Sequence, residues 1–256
     1  MGARAHPGGR DNLVMNDLTF CLGFRAWNAD HLRRCLESLD RFGCPIIVTI
    51  GDRDLPEWCD RRGSIMGTRA TWVHRPMDGW SRSVALNHAI RTAGTPWVVC
   101  TDADMIFPSS FPSACRASLG ARSVALTDSR DMNAHATGAL VWPLWNGRIP
   151  SDDWLTKLSD PHPRLGMGAG MVIPRAWCLD IGGFDETYTG WGCDDTDLVL
   201  RARWDGLAVV WLPDTFVVHQ WHPREAPPDL WAQVVKNRAY LAEREREGGP
   251  VRRNVA

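Results

Sequence analysis

Three carboxylates, Asp194, Asp195 and Asp197, lie within four positions at the head of a run with helical spacing. Acids this close repel one another. Repulsion and partial burial both raise carboxylate pKa values, toward useful general-base strength. Just upstream, Gly190 and Gly192 flank Trp191 and free the backbone to turn sharply around it. A flat indole beside acids suits a pyranose: the ring packs on the sugar's C–H face while carboxylates accept its hydroxyl hydrogens. The plainer reading is that Asp194 and Asp195 only supply negative charge to a helix N-terminus. Spacing alone weighs the two readings equally.

A second set of acids is Asp102-Ala103-Asp104, at the end of the buried-strand pattern Pro96 to Thr101. Two carboxylates so spaced can approach one cation if the chain bends there. Hard oxygen ligands suit Mg²⁺ or Mn²⁺, which bind together with substrate phosphates. A bare Asp-x-Asp is also a common polar strand end. His219 and His222 follow another strand-like run. A lone histidine there is more often a hydrogen-bonded structural residue than a ligand.

These groups need elements to position them. Leu18 to Gly23 is an apolar run fit for a buried first strand. Asn28 can cap the next helix, where Leu32, Cys35, Leu36, Leu39 and Phe42 recur at helical spacing before Gly43. Ile46 to Ile50 is a second strand ending in Gly51-Asp52. This β-α-β order implies parallel strands and a right-handed crossover. Ligands of such sheets bind beyond the carboxyl ends of the strands, where Phe24, Arg25 and Asp52 sit. Taken singly, Arg25 reads as a solvated charge and Asp52 as a turn residue.

Ser81 or Ser83 caps a short helix that ends near Gly94 and leads into the Asp102 strand. Ser123 to Thr127 and Met167 to Ile173 read as strands. Pro174 suits the first turn of a helix to Ile181, and the helix after Cys193 stops near Gly206. Ala208 to Leu212 and Thr215 to Val218 are strand-like, and 227–248 forms an amphipathic helix expected to contribute packing and no chemistry. The Trp-rich stretch 142–154 fits a covering loop, an acceptor wall or plain packing.

The chain has 256 residues and formal charge −1, with acids and bases interleaved. That length suits one α/β domain. No basic stripe points to nucleic acid, and no apolar run reaches membrane-spanning length. Residues 1–17 read as a flexible tail without a signal-peptide core. The eight scattered cysteines read as reduced thiols of a cytoplasmic protein. Most of the fourteen tryptophans are expected in the core.

The stretch GGFDETYTGWGCDDTDLVLRAR, Gly182 to Arg203, resembles the GGFDE…GWGGEDxDL signature of inverting GT-A glycosyltransferases. That signature occurs in the C-terminal domain of the β-1,4-galactosyltransferases and in relatives within glycosyltransferase family 2. Cys193, Asp194 and Thr196 depart from the usual glycine, glutamate and aspartate. The resemblance implies a GT-A fold, a single-domain, Rossmann-like, mainly parallel sheet flanked by helices, over residues 18–222, with a C-terminal helix and tail at 223–256. It implies inverting, metal-dependent transfer of a sugar from a nucleotide-sugar donor, a UDP-sugar, to an acceptor hydroxyl. Asp195 is then the general base, with Asp194 and Trp191 at the acceptor. Phe24, Arg25, Asp52 and Asp102 bind the donor nucleotide, Asp102 at its ribose. Asp104 and His219, preferred to His222, hold Mn²⁺ or Mg²⁺. The alternatives are a non-catalytic nucleotide-sugar- or carbohydrate-binding protein of the same fold, and a nucleotidyltransferase. LGFRAWN lacks the Gly-rich, Lys/Arg-bearing loop of the latter. A glycosidase needs two carboxyls flanking a bond about 5–9.5 Å apart, and no such pair is marked.

Overall fold

The structure, a computed structural model, describes residues 17–25, 28–60, 63–120, 122–140, 151–162, 167–223 and 230–248. The tail at 1–16 and Trp142 and Trp145 lie outside these residues. Strand β1 (Leu18–Phe24) is buried along nearly its whole length. Helix α1 (Ala29–Asp40) starts where Asn28 Oδ1 accepts the His31 N–H at 3.2 Å. Such a cap contributes about 1 kcal/mol. Leu32, Cys35, Leu36 and Leu39 form its buried stripe, and Gly43 turns the chain at φ +74°. Strands β2 (Ile46–Ile50) and β3 (Ala70–His74) follow. Helix α2 (Arg82–Thr92), capped by Ser81, leads into β4 (Trp97–Asp102). The order β3-β2-β1-β4 is parallel throughout.

The chain continues through β5 (Met105–Ile106), α3 (Phe111–Ser118), β6 (Ser123–Met132), α4 (Ala134–Ala139) and α5 (Asp152–Lys157). Then come β7 (Ser159–Pro161), β8 (Met171–Pro174), α6 (Arg175–Asp180), α7 (Asp194–Trp204), β9 (Ala208–His219) and α8 (Leu230–Glu247). All the described strands join one sheet, ordered β3-β2-β1-β4-β8-β6-β9-β5, with β7 beside β6. Strand β8 is antiparallel to β4 and β6, whereas β6 and β9 pair in parallel. The fold is thus a mixed α/β sheet, mainly parallel, with helices on both faces. Alternation along β1 sends Leu18, Phe20 and Leu22 toward α1 and α3, and Cys21 toward α2, α6 and α7.

Three expectations change. The two strand-like runs after Gly206 are one strand, β9, which passes through Pro213 and a left-handed Asp214 at φ +54° without ending. The strand expected from Met167 begins only at Met171. Residues 168–170 instead turn, and their carbonyls accept from Arg82, Thr101 and Thr127 side chains. No described tryptophan is fully buried. Leu, Ile, Val, Phe and Cys fill the two core layers. The indoles stay at their margins, where N–H groups reach partners such as Asp60 O for Trp72 and Asp205 Oδ2 for Trp177.

Candidate active site

Strand β4 delivers Asp102 to the carboxyl edge of the sheet, and a tight turn into β5 places Asp104 just beyond it. The end of β9 arrives antiparallel to β5, pairing Met105 with His219. Asp104 Oδ2 then lies 3.4 Å from His219 Nε2 and 3.4 Å from His222 Nε2. One oxygen and two imidazole nitrogens fall within 4.8 Å of one another. Burial would raise the Asp104 carboxyl, but hydrogen bonds and charge from His219 and His222 outweigh it and hold the group well below its ordinary range. Its second oxygen, Oδ1, is buried with no hydrogen-bond partner. An orphaned carboxylate oxygen beside two imidazoles fits a divalent cation.

The histidines are held by α1. His31 Nε2 lies 2.9 Å from Trp221 O, Arg34 donates to Gln220 Oε1, and Gln220 donates back to His31 O. Thr137 Oγ1 accepts the Trp221 N–H at 2.7 Å. His219 and His222 line a cavity of about 250 Å³ with Asp131, Met132, Trp221 and Pro223.

Arg82, at the start of α2, joins this edge to the acid-led helix α7. Its Nε donates to Asp102 Oδ1 at 2.6 Å, Nη1 to Asp194 Oδ2 at 2.8 Å and Nη2 to Gly168 O at 2.9 Å. Burial would lower the guanidinium pKa, but Asp102, Asp194 and Asp195 outweigh it and keep the group charged. The three clustered acids therefore have three fates. Asp194 is buried and paired with Arg82. Asp197 is buried between Arg201 and Arg244, at 2.7 and 3.4 Å. Asp195 forms no ion pair among the described residues. One of its oxygens accepts the Thr196 N–H at 2.7 Å, while the other lies so near Gly168 that a Cβ there would sit 2.9 Å from it. Burial, then the neighbouring Asp194 charge, push the Asp195 carboxyl up from 3.8.

The loop before α7 carries left-handed Gly190, Gly192 and Cys193 and leaves Trp191 57% exposed. Helix α8 grips this loop. Asn237 Nδ2 lies within hydrogen-bonding distance of Thr189 O, Trp191 O and Gly192 O, at 2.9–3.2 Å. Tyr240 donates to Asp185 at 2.8 Å, and Arg244 reaches Asp197. Gln233 packs on Gly190. These four residues recur at helical spacing on one face, so the packing of this helix includes polar contacts that hold the loop.

Of the residues singled out by sequence, Asp102, Asp104, Asp194 and His219 are brought into one linked group, with Asp195 beside it. Asp52 lies at the same edge, after β2, where its carbonyl lies 2.8 Å from His74 Nε2. Phe24 is 3% exposed and packs edge-on against Trp58, so its side chain faces the core and not a ligand. Arg25 is exposed. His222 reaches Asp104 as closely as His219 does, so preferring one of the two finds no support in the geometry. Sequence reasoning missed Arg82, Asp131 and Asn237. One signal for Arg82 was available: a cation in the first turn of a helix opposes the macrodipole unless acids hold it there.

This fold is that of GT-A-like glycosyltransferases. A structure of GalNAc-T7 with UDP, GalNAc and Mn²⁺ superposes with a TM-score of 0.62 at 12% identity, covering 86% of this chain and 47% of that one. The mannosyltransferase PcManGT from Pyrobaculum calidifontis, in complex with GDP-Man and Mn²⁺, gives 0.55 at 16% identity over 89% of this chain and 64% of that one. The chain belongs to the family described as glycosyltransferase like family 2, whose model matches residues 27–240. Human chondroitin sulfate synthase 3 is 25% identical over 164 residues, 60% of this chain, which spans only 17% of that relative. Among the described residues no helix is long and apolar enough to cross a membrane.

Proposed function

We propose that the chain is an inverting glycosyltransferase that moves a sugar from a nucleotide-sugar donor, a UDP-sugar, to an acceptor hydroxyl, with Asp195 as general base. The observation that carries this reading is the sorting of the acids: Asp194 and Asp197 are neutralised by arginines, while Asp195 is left half-buried and raised. A carboxylate in that state takes a proton from a hydroxyl more readily than an ordinary one. Trp191 offers the acceptor an apolar plane and Asp194 a hydrogen-bond acceptor. Asp102 and Asp52, both at the carboxyl ends of strands, would meet the ribose and base of a donor bound at that edge. Arg82 fixes Asp102 and Asp194 relative to one another, so donor and acceptor are held in one frame.

Asp104, His219 and His222 would hold a divalent ion. A bound ion supplies charge neutralisation for a leaving diphosphate. Two imidazoles with one carboxylate favour Mn²⁺ over the harder Mg²⁺. The eight cysteine thiols support a reducing, cytoplasmic setting.

The test is a panel of nucleotide sugars incubated with Mn²⁺ and scored for free nucleotide, since water serves as a slow acceptor. Release from UDP-sugars that stops in EDTA is expected, and the anomer formed with an acceptor reads out inversion. Asp195→Asn should bind donor normally and lose transfer by about 10²-fold or more. Full activity in EDTA, or near-normal transfer by Asp195→Asn, would remove the metal or the base respectively.

A further inference from the structure

We infer that Asp131 is a positioning residue for the cation site, holding His219 in the tautomer that turns a lone pair toward Asp104. The inference rests on the metal reading of Asp104, His219 and His222. Asp131 and His219 are register partners on the parallel strands β6 and β9. The His219 ring lies between two carboxylates, with Nδ1 3.4 Å from Asp131 Oδ1 and Nε2 3.4 Å from Asp104 Oδ2. A neutral imidazole carries one N–H and one lone pair. With the proton on Nδ1 facing Asp131, Nε2 is a ligand. With the proton on Nε2, the ring merely donates to Asp104 and cannot bind an ion.

The carboxylate is itself fixed. Its other oxygen, Oδ2, lies 2.8 Å from His162 Nδ1, and the His162 backbone N–H donates to Ser129 O of β6. Asp131 is not among the three residues whose ligand atoms converge within 4.8 Å, so its place is behind His219 and not on the ion. His222 needs no such partner, because its Nδ1 lies 3.0 Å from Pro223 O and its Nε2 already faces Asp104. Asp131 therefore acts on one imidazole of the pair. Carboxylates behind ligating histidines commonly sustain 10–100-fold of metal affinity.

The test uses the whole chain, with Mn²⁺ alone as probe, read from the free-ion electron paramagnetic resonance signal. Nitrogen NMR of the metal-free protein at alkaline pH reads the His219 tautomer. Asp131→Ala should shift His219 toward the Nε2–H form and weaken Mn²⁺ binding about 10–100-fold. Asp131→Asn, whose amide oxygen still accepts from Nδ1–H, should keep the tautomer and stay within a few-fold of the parent. An unchanged tautomer in Asp131→Ala overturns the inference, and so does an Asn variant as damaged as the Ala variant. If the parent binds no Mn²⁺ at all, the metal reading fails, while the tautomer measurement still reports whether Asp131 holds the ring.

Discussion

At the scale of single residues, the site turns on where one positive charge is spent. Arg82 pairs with Asp194 and Asp102 and forms no ion pair with Asp195, whose carboxyl it lowers by less than burial and Asp194 raise it. Burial and then Asp194 raise Asp195, so a base-limited rate should rise with pH through a value above 3.8. Asp194→Asn removes the repelling charge and leaves Arg82 less neutralised, and both effects lower the Asp195 pKa. The acidic limb of the rate profile should therefore move to lower pH, whatever happens to the maximum rate; a limb that stays or rises would exclude Asp195 as the group titrating. Arg82→Met leaves Asp194 buried without a partner, a loss of about 3 kcal/mol, or roughly 6–12 °C in Tm for a domain of this size. An unchanged melt would show that the three contacts of Arg82 carry no stability. Asp104, Asp195 and the late histidines were singled out in the sequence because the chain resembles a glycosyltransferase signature around Gly182 to Arg203; spacing alone left a strand end, a helix cap and structural histidines as the plainer readings. The carboxylate partners of Arg82 lie 20 and 112 residues away, and nothing local marks them.

Among the elements, α8 was legible as a helix but not as a clamp. Its apolar spacing predicts packing, while the polar face of Gln233, Asn237, Tyr240 and Arg244 has meaning only once the 185–197 segment lies beneath it. Asn237→Leu should speed amide hydrogen exchange across residues 189–192 while the sheet keeps its protection. Equal exchange in parent and variant would end the clamp argument. Asp185 offers a second test. Burial raises its carboxyl, but hydrogen bonds from Thr187 and Tyr240 outweigh it, and the group is held below its ordinary value of 3.8. A depressed carboxyl stabilises the fold above its unfolded pKa and loses that contribution as pH falls through the folded value. The stability gap between the parent and Asp185→Asn should thus be full near neutrality and close in acid below about pH 4. A gap that persists there would place its origin in shape and not in charge.

For the molecule as a whole, the β-α-β half could be read from runs of apolar residues, since buried parallel strands are nearly continuous in hydrophobicity. The mixed half could not, because β8 and β9 pair with strands distant in sequence. If the three-residue cluster binds an ion only when folded, Mn²⁺ at a hundredfold its Kd adds about 2.7 kcal/mol, several degrees of Tm. Mg²⁺ should add less, and His219→Ala should abolish the shift; identical melts with Mn²⁺ and EDTA would leave the cluster without a cation. The sheet order also bears on how the chain is made. Strands β5 and β6 are consecutive in sequence, yet β9 lies between them. Until that strand emerges from the ribosome, both neighbours hold open edges able to recruit other chains. His219 and His222 arrive with it or just after it, so the nascent polypeptide completes the sheet and gains both imidazoles in the same late step, and partly synthesised copies cannot assemble the Asp104–His219–His222 cluster.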